Sequence, residues 1–399
     1  MSMHAYCGNW ATFGGENGLW MHDYDLKTGA LSNPVQINNE ISSSYAWVNE
    51  EKRLIYFVDE RDTQFFAGTH IQGGAGGFIW VYKVNEDGQL ELVQKTPAFG
   101  SDPAMFTIAP SGRYGVCAIH GSAPVVCQVA QDEAGEWQIV PGHADASLVL
   151  FAMNEDGTIG KVMDICKPSG SKIPHLHTCE WAPSGNFFLT VDKGGGDIYS
   201  FSIDEQAGKL VQLGEPYALG DTTRPRYVRF NPVQNACYVN YEAANKISAF
   251  SYNEQGELTF LGDELIVLQE EYDALPVGRG YRFEAQNMRV SADGKHLYTC
   301  VHCSPFKMVK PIHKEAGFDA VVVFELAEDG RATRAQFCDV GDAYWPRGCT
   351  ISPDGRFLLV TALFGDCIAT LRIGEDGLLE DTGLREPQST AASMTFFDA

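Results

Sequence analysis

The sequence predicts an all-β fold, a seven-bladed β-propeller, and three observations carry that prediction. Apolar and polar residues alternate with period two through most of the chain, an acidic turn ending in Gly recurs seven times, and a second turn recurs six times upstream of it. The repeat is clearest at residues 224–260, where the runs YVRF, ACYVNY, KISAF and ELTF are separated by Asn231-Pro232, the polar stretch 242–245 and Asn253-Glu254-Gln255-Gly256. Four short antiparallel strands make one sheet too small to fold alone, so it must stack against copies of itself.

The Gly turns stand at Lys27-Thr28-Gly29, Glu86-Asp87-Gly88, Glu155-Asp156-Gly157, Gln206-Ala207-Gly208, Glu254-Gln255-Gly256, Glu328-Asp329-Gly330 and Glu375-Asp376-Gly377. Gly supplies the positive φ that such hairpins require. The upstream turn reads Asn49-Glu50, Ala109-Pro110-Ser111-Gly112, Ala182-Pro183-Ser184-Gly185, Asn231-Pro232, Ala292-Asp293-Gly294 and Ser352-Pro353-Asp354-Gly355. The first hairpin lacks it, because only three strands fit between His4 and Asn38. The run from Ala392 to Phe397 supplies the fourth, and pairing the two termini in one sheet closes the circle without an open edge. No linker or composition shift divides residues 1–399, which read as a single domain.

The chain is 44% hydrophobic and 12% aromatic, ample for a large core, and its net charge of −23 repels phosphate backbones, which argues against a nucleic-acid partner. A leader-like start and a long apolar run are both missing, so a soluble, cytoplasmic protein without a membrane partner is expected. Eleven cysteines, mostly single and inside apolar runs, read as reduced and buried. Cys300-Val301-His302-Cys303 has a C-x-x-C spacing but no second pair of ligands, so no metal is expected there. His175-Leu176-His177 places two imidazoles on one side of a strand, and without a third ligand His177 reads as a proton-transfer or hydrogen-bonding group. Lys193-Gly194-Gly195-Gly196 opens no helix and is not read as a phosphate loop.

The repeat register locates a site. The start of each innermost strand and the end of the second strand lie on one face of the disc. Six residues before the Pro position of the upstream turn stand Ser44, Ala104, His177, Arg226, Gln286 and Arg347. Ten residues after it stand Glu60, His120, Lys193, Glu242, His302 and Leu363. A water-filled channel is often polar, so taken singly each of these residues reads more readily as structural than catalytic, and Arg226 with Glu242 reads also as an ion pair within one blade. Convergence of Arg, His, Lys and Glu on one funnel is what acid/base chemistry on a small polar substrate requires. The insertions at 61–77, 121–146, 269–284 and 303–319 fall on the same side.

The stretches IPHLHTCEWAPSGNFFLTVD, RPRYVRFNPVQNACYVNYE and YWPRGCTISPDGRFLLVTA resemble the seven-bladed lactonase family, which includes propeller-type 6-phosphogluconolactonases and fungal 3-carboxy-cis,cis-muconate cyclase. The resemblance implies an active site containing His177, Arg226 and Glu242. It also implies a second Arg where this chain has His302, and His holds an anion only when protonated. The expected activity is opening, or in reverse closing, the lactone of a small polyhydroxy or dicarboxylic acid, with no cofactor. Glu242 or His177 would serve as base, Arg226 and Arg347 as oxyanion or carboxylate donors. His302 is counted with the catalytic set, and Glu60, His120, His175, Lys193, Gln286 and Arg347 with substrate binding. The alternatives are a non-catalytic scaffold, or an epimerase or lyase using the same groups.

Overall fold

Seven antiparallel sheets of four or five strands follow one another around the chain in the computed structural model, which describes residues 3–10, 16–61, 63–66, 70–73, 76–121, 127–131, 134–141, 146–168, 173–220, 222–273, 281–305 and 319–397. Blades 1 to 6 begin with the inner strands Ser43–Asn49, Pro103–Ile108, Glu180–Trp181, Pro225–Phe230, Tyr281–Val290 and Pro346–Ile351. Blade 7 joins the termini: Ala391–Phe397 is its inner strand and pairs antiparallel with Met3–Asn9, followed by Gly18–Tyr24 and Leu31–Asn38. Ala391–Phe397 packs against the inner strands of both blade 1 and blade 6, which closes the ring. In blade 4 the strands are Pro225–Phe230, Ala236–Tyr241, Lys246–Tyr252 and Leu258–Leu265. The outer strand runs five residues beyond the predicted Phe260, crossing a register shift at Ala249/Phe250.

Burial follows position in the blade. The inner and second strands of blade 4 are buried along their whole length, whereas the outer strand alternates half-buried and exposed residues. The inner strand is therefore buried whatever the polarity of its residues, Arg226 and Arg229 included, and the outer strand presents part of its surface to solvent.

The recurring Gly turns join neighbouring blades as well as strands. Tyr6, Tyr56, Ser200, Tyr298 and Thr370 each donate a buried hydroxyl hydrogen bond to the carbonyl of Gly88, Gly157, Gly256, Gly377 and Gly29 respectively, at 2.6–3.0 Å. Gly29 has φ +76°, and a Cβ there would stand 2.7 Å from Phe357 of the adjoining blade. Positive φ and close approach thus demand Gly together.

A second regularity is a bulge at the start of the inner strands. The ladder skips Ser44, Ala104, Arg226, Arg347 and Ala392 in blades 1, 2, 4, 6 and 7, and skips Gln286-Asn287 in blade 5. Bulges re-aim a side chain and release a backbone N–H. In blade 4 Tyr227 N–H donates to Asn240 Oδ1 (3.0 Å), and in blade 6 Gly348 N–H donates to Thr361 Oγ1 (3.0 Å), so the freed donors are satisfied.

The described cysteines are free thiols, and all but half-buried Cys166 are buried. Among the described residues no His, Cys, Asp and Glu cluster has metal-holding geometry, and no helix is long and apolar enough to cross a membrane. The Cys303 side chain and most of the four insertions lie outside the described residues, apart from the small hairpins 63–66/70–73 and 127–131/137–141 and the single-turn helix Gln269–Asp273.

Candidate active site

The two residue rings are equivalent in hydrogen bonding as well as in number. The N–H groups of Glu60, His120, Lys193, Glu242 and Leu363 donate to the carbonyls of Ser42, Asp102, His175, Arg224 and Trp345, at 2.7–3.0 Å. Trp10 N–H makes the same bond to Thr390 O in blade 7 (3.0 Å). Trp10 and Ala392 are therefore the ring residues of the closing blade. The count from upstream turns missed Trp10 because blade 7 is split between the termini. The signal was present in Asn9-Trp10, which ends a second strand as Asp59-Glu60 and Asp192-Lys193 do.

Glu242 is the centre of the charge network. Its Oε2 lies 2.6 Å from Lys193 Nζ and 3.0 Å from Arg226 Nη1, and its Oε1 lies 3.6 Å from Arg224 Nη2. Burial alone would raise the Glu242 carboxyl, but Lys193, Arg226 and Arg224 together hold it well below the usual carboxylate range. For Lys193 burial prevails over the attraction of Glu242 and brings its ammonium down to about 8. Arg224, which sequence counting missed, sits at φ +53° two residues before Arg226 and from there reaches the same carboxylate.

Three imidazoles adjoin this network. His120 stacks on His175 with ring centres 4.4 Å apart, and His175 Nδ1 lies 2.9 Å from the His120 carbonyl oxygen. His177 meets the Tyr227 ring edge to face at 4.8 Å and stands 6.2 Å from the His120 ring. Burial, then Arg226, Lys193 and His120, pushes His177 well below the ordinary imidazole value, so its ring is neutral near pH 7. His177 Nδ1 is buried and has no hydrogen-bond partner among the described residues.

Arg347 extends the network to blades 1 and 7. Its Nη2 lies 3.2 Å from Glu60 Oε2, and its guanidinium carbon stands 3.7 Å from the centre of the Trp10 ring. His302 belongs to a second group: its Nε2 is 2.9 Å from Gln286 Nε2 and 3.3 Å from Glu284 Oε2, and its ring stacks on Trp345 at 3.8 Å. The predicted residues thus fall into two groups. One gathers His120, His175, His177, Lys193, Arg226 and Glu242, which the Arg347–Glu60 pair joins through charge rather than contact. The other gathers His302 and Gln286.

The family model described as Lactonase, 7-bladed beta-propeller matches residues 4–396. The chain belongs to the seven-bladed β-propeller lactonase family. Within it the chain is 23% identical to a 6-phosphogluconolactonase of Formosa agariphila over 365 residues, covering 89% of this chain and 88% of that one. It is 21% identical to the 6-phosphogluconolactonase of Bacillus subtilis over 370 residues, covering 90% and 88%. The periplasmic gluconolactonase PpgL of Pseudomonas aeruginosa shares the fold, with a TM-score of 0.80 at 17% identity over 100% of this chain and 99% of that one. Family membership makes the chain a lactonase, and the geometry above bears on which lactone and which residues.

Proposed function

We propose that the protein hydrolyses the lactone of a small anionic sugar acid, 6-phosphogluconolactone before others, at the mouth formed by His177, Lys193, Arg226, Glu242 and Arg347. The observation that carries this reading is the charge balance. Four buried or half-buried cations, Lys193, Arg224, Arg226 and Arg347, face two carboxylates, Glu242 and Glu60, in a chain of net charge −23. An excess of fixed positive charge suits a phosphate or carboxylate on the substrate.

His177 acts as the general base. Its neutral ring takes a proton from water as the water oxygen attacks the lactone carbonyl carbon. Arg226 and Arg347 stabilise the oxyanion that forms as the C=O bond opens. Collapse of that intermediate breaks the ring C–O bond, and the leaving alkoxide takes a proton from Lys193 or from protonated His177. Glu242, tied to Lys193, Arg226 and Arg224, fits a different role: it holds Lys193 and Arg226 in place. His302, clamped by Gln286, Glu284 and Trp345, shapes the adjacent wall.

Acid release from 6-phosphogluconolactone, gluconolactone and a carboxymuconolactone tests this. Wild type is expected to prefer the phosphorylated substrate, and His177→Asn to lower kcat by about 10²–10⁴-fold. Full turnover in both His177→Asn and Arg226→Met would overturn the assignment.

A further inference from the structure

The register that gives two rings of side chains also gives a third. Three residues before the upstream-turn Pro position stand Glu180, Arg229, Arg289 and Thr350 in blades 3 to 6. Each inner strand runs from the mouth that holds Arg226 toward these turns, so the third ring faces the opposite end of the axis. A cavity of about 480 Å³ opens there, lined by those four residues with Tyr45 and Ser352 among others. Its walls come from blades 1, 3, 4, 5 and 6, which puts it on the axis of the wheel and not between two sheets.

Its charges are unevenly matched. Arg229 is buried, with Nη1 2.6 Å from Glu180 Oε2 and Nε donating to the Met288 carbonyl at 3.2 Å. Arg289 is half-buried beside it. Among the described residues Arg289 reaches only neutral oxygens, donating from Nη1 to Asn287 Oδ1 at 2.6 Å and to the Met288 carbonyl at 3.1 Å. Among the described residues one guanidinium in the recess therefore has no carboxylate paired with it. The Tyr45 side chain lines the same cavity as Arg229, Glu180 and Arg289. The Thr350 hydroxyl makes no hydrogen bond among the described residues. Tyr227 separates the two ends of the channel, its ring centre 5.9 Å from the Arg226 guanidinium and 5.0 Å from that of Arg229.

We propose that this recess is a second binding site, taking a small oxyanion, a carboxylate or a phosphate, between the Arg289 guanidinium and the hydroxyls of Tyr45 and Thr350. Arg289 supplies the positive charge and a planar pair of donors, and the hydroxyls supply direction. The site is independent of lactone chemistry at the other mouth.

The test is calorimetric titration of the full-length protein with inorganic phosphate and, separately, with malonate. An Arg347→Gln background weakens anion binding at the opposite mouth. Adding Arg289→Gln is expected to weaken binding by at least about tenfold, and Arg289→Lys to recover part of it. Loss with phosphate alone or malonate alone supports the site and names its ligand chemistry. The single Arg289→Gln variant is expected to keep wild-type lactone turnover, which also shows that it folds. Binding of both ions unchanged by Arg289→Gln, or no binding of either ion, overturns the proposal.

Discussion

Arg347, near the C-terminal end of the chain, lays its guanidinium over the indole of Trp10, near the N-terminal end, at 3.7 Å from the ring centre. Closing the ring of blades and completing the cationic mouth are thus one event. A desolvated cation–π contact contributes about 2 kcal/mol. Trp10→Ala is expected to raise KM by about tenfold or more and to lower the denaturation midpoint, while Trp10→Phe keeps most of both. Steady-state kinetics with urea unfolding measures this, and an unchanged KM in Trp10→Ala contradicts it.

Glu242 holds two buried cations, so its removal leaves both without a partner. Glu242→Gln is expected to destabilise the fold by about 3–5 kcal/mol. Chemical denaturation reads this directly. A loss below about 1 kcal/mol would mean that Lys193 and Arg226 have found other partners.

Lys193, brought down to about 8 by burial, is expected to set the basic limb of the pH profile. It is charged below that value and neutral above it, so kcat/KM is expected to fall as pH rises through about 8. Lys193→Arg keeps its charge at higher pH and is expected to move the limb upward. A limb that stays in place in that variant assigns it to another group.

Acid weakens the fold for a reason of the opposite sign. Burial holds His120, His175 and His177 below the ordinary imidazole value of 6.5, and His22 down to about 4. Below pH 6.5 the unfolded chain binds protons that the folded chain refuses, so stability is lost as pH falls from 6.5. Each such His costs about 1.4 kcal/mol per pH unit within that window. Urea midpoints at pH 7 and pH 5 should differ clearly, and equal midpoints would count against neutral imidazoles at the mouth.

Gly194 follows Lys193 directly. A Cβ there would stand 1.7 Å from the Ile173 carbonyl oxygen, and backbone cannot swing aside as a side chain does. Gly194→Ala is expected to displace the segment carrying His175 and His177 and to reduce kcat by about tenfold or more, with little change at distant blades. Kinetics and amide exchange of residues 173–179 would detect it.

Much of the wheel was written in local patterns. The Gly29, Gly157 and Gly377 turns announced their hairpins because positive φ leaves few alternatives, and Ala392-to-Phe397 announced the closure because an open edge is costly. Counting along the repeat also placed Arg226 beside Glu242 and Lys193, since all three stand at fixed register positions. Arg224 escaped the count because its reach depends on a left-handed backbone that no residue type signals. The stacking of His302 on Trp345 joins two blades through the irregular start of a strand, and the Gln286-Asn287 bulge that shapes it has no sequence mark. Arg229 and Arg289 lie inside apolar inner strands, where their spacing from the turn is regular but their orientation is not visible.

The bulges have a consequence for how the mouth of this protein is built. Ser44, Ala104, Arg226, Arg347 and Ala392 stand outside the cross-strand ladder. None of them has a cross-strand partner in the ladder, so the register of the inner strands does not depend on their side chains. The side chains that face the mouth are thus set apart from the register of the sheets, and Arg226 and Arg347 are held instead by Glu242 and Glu60.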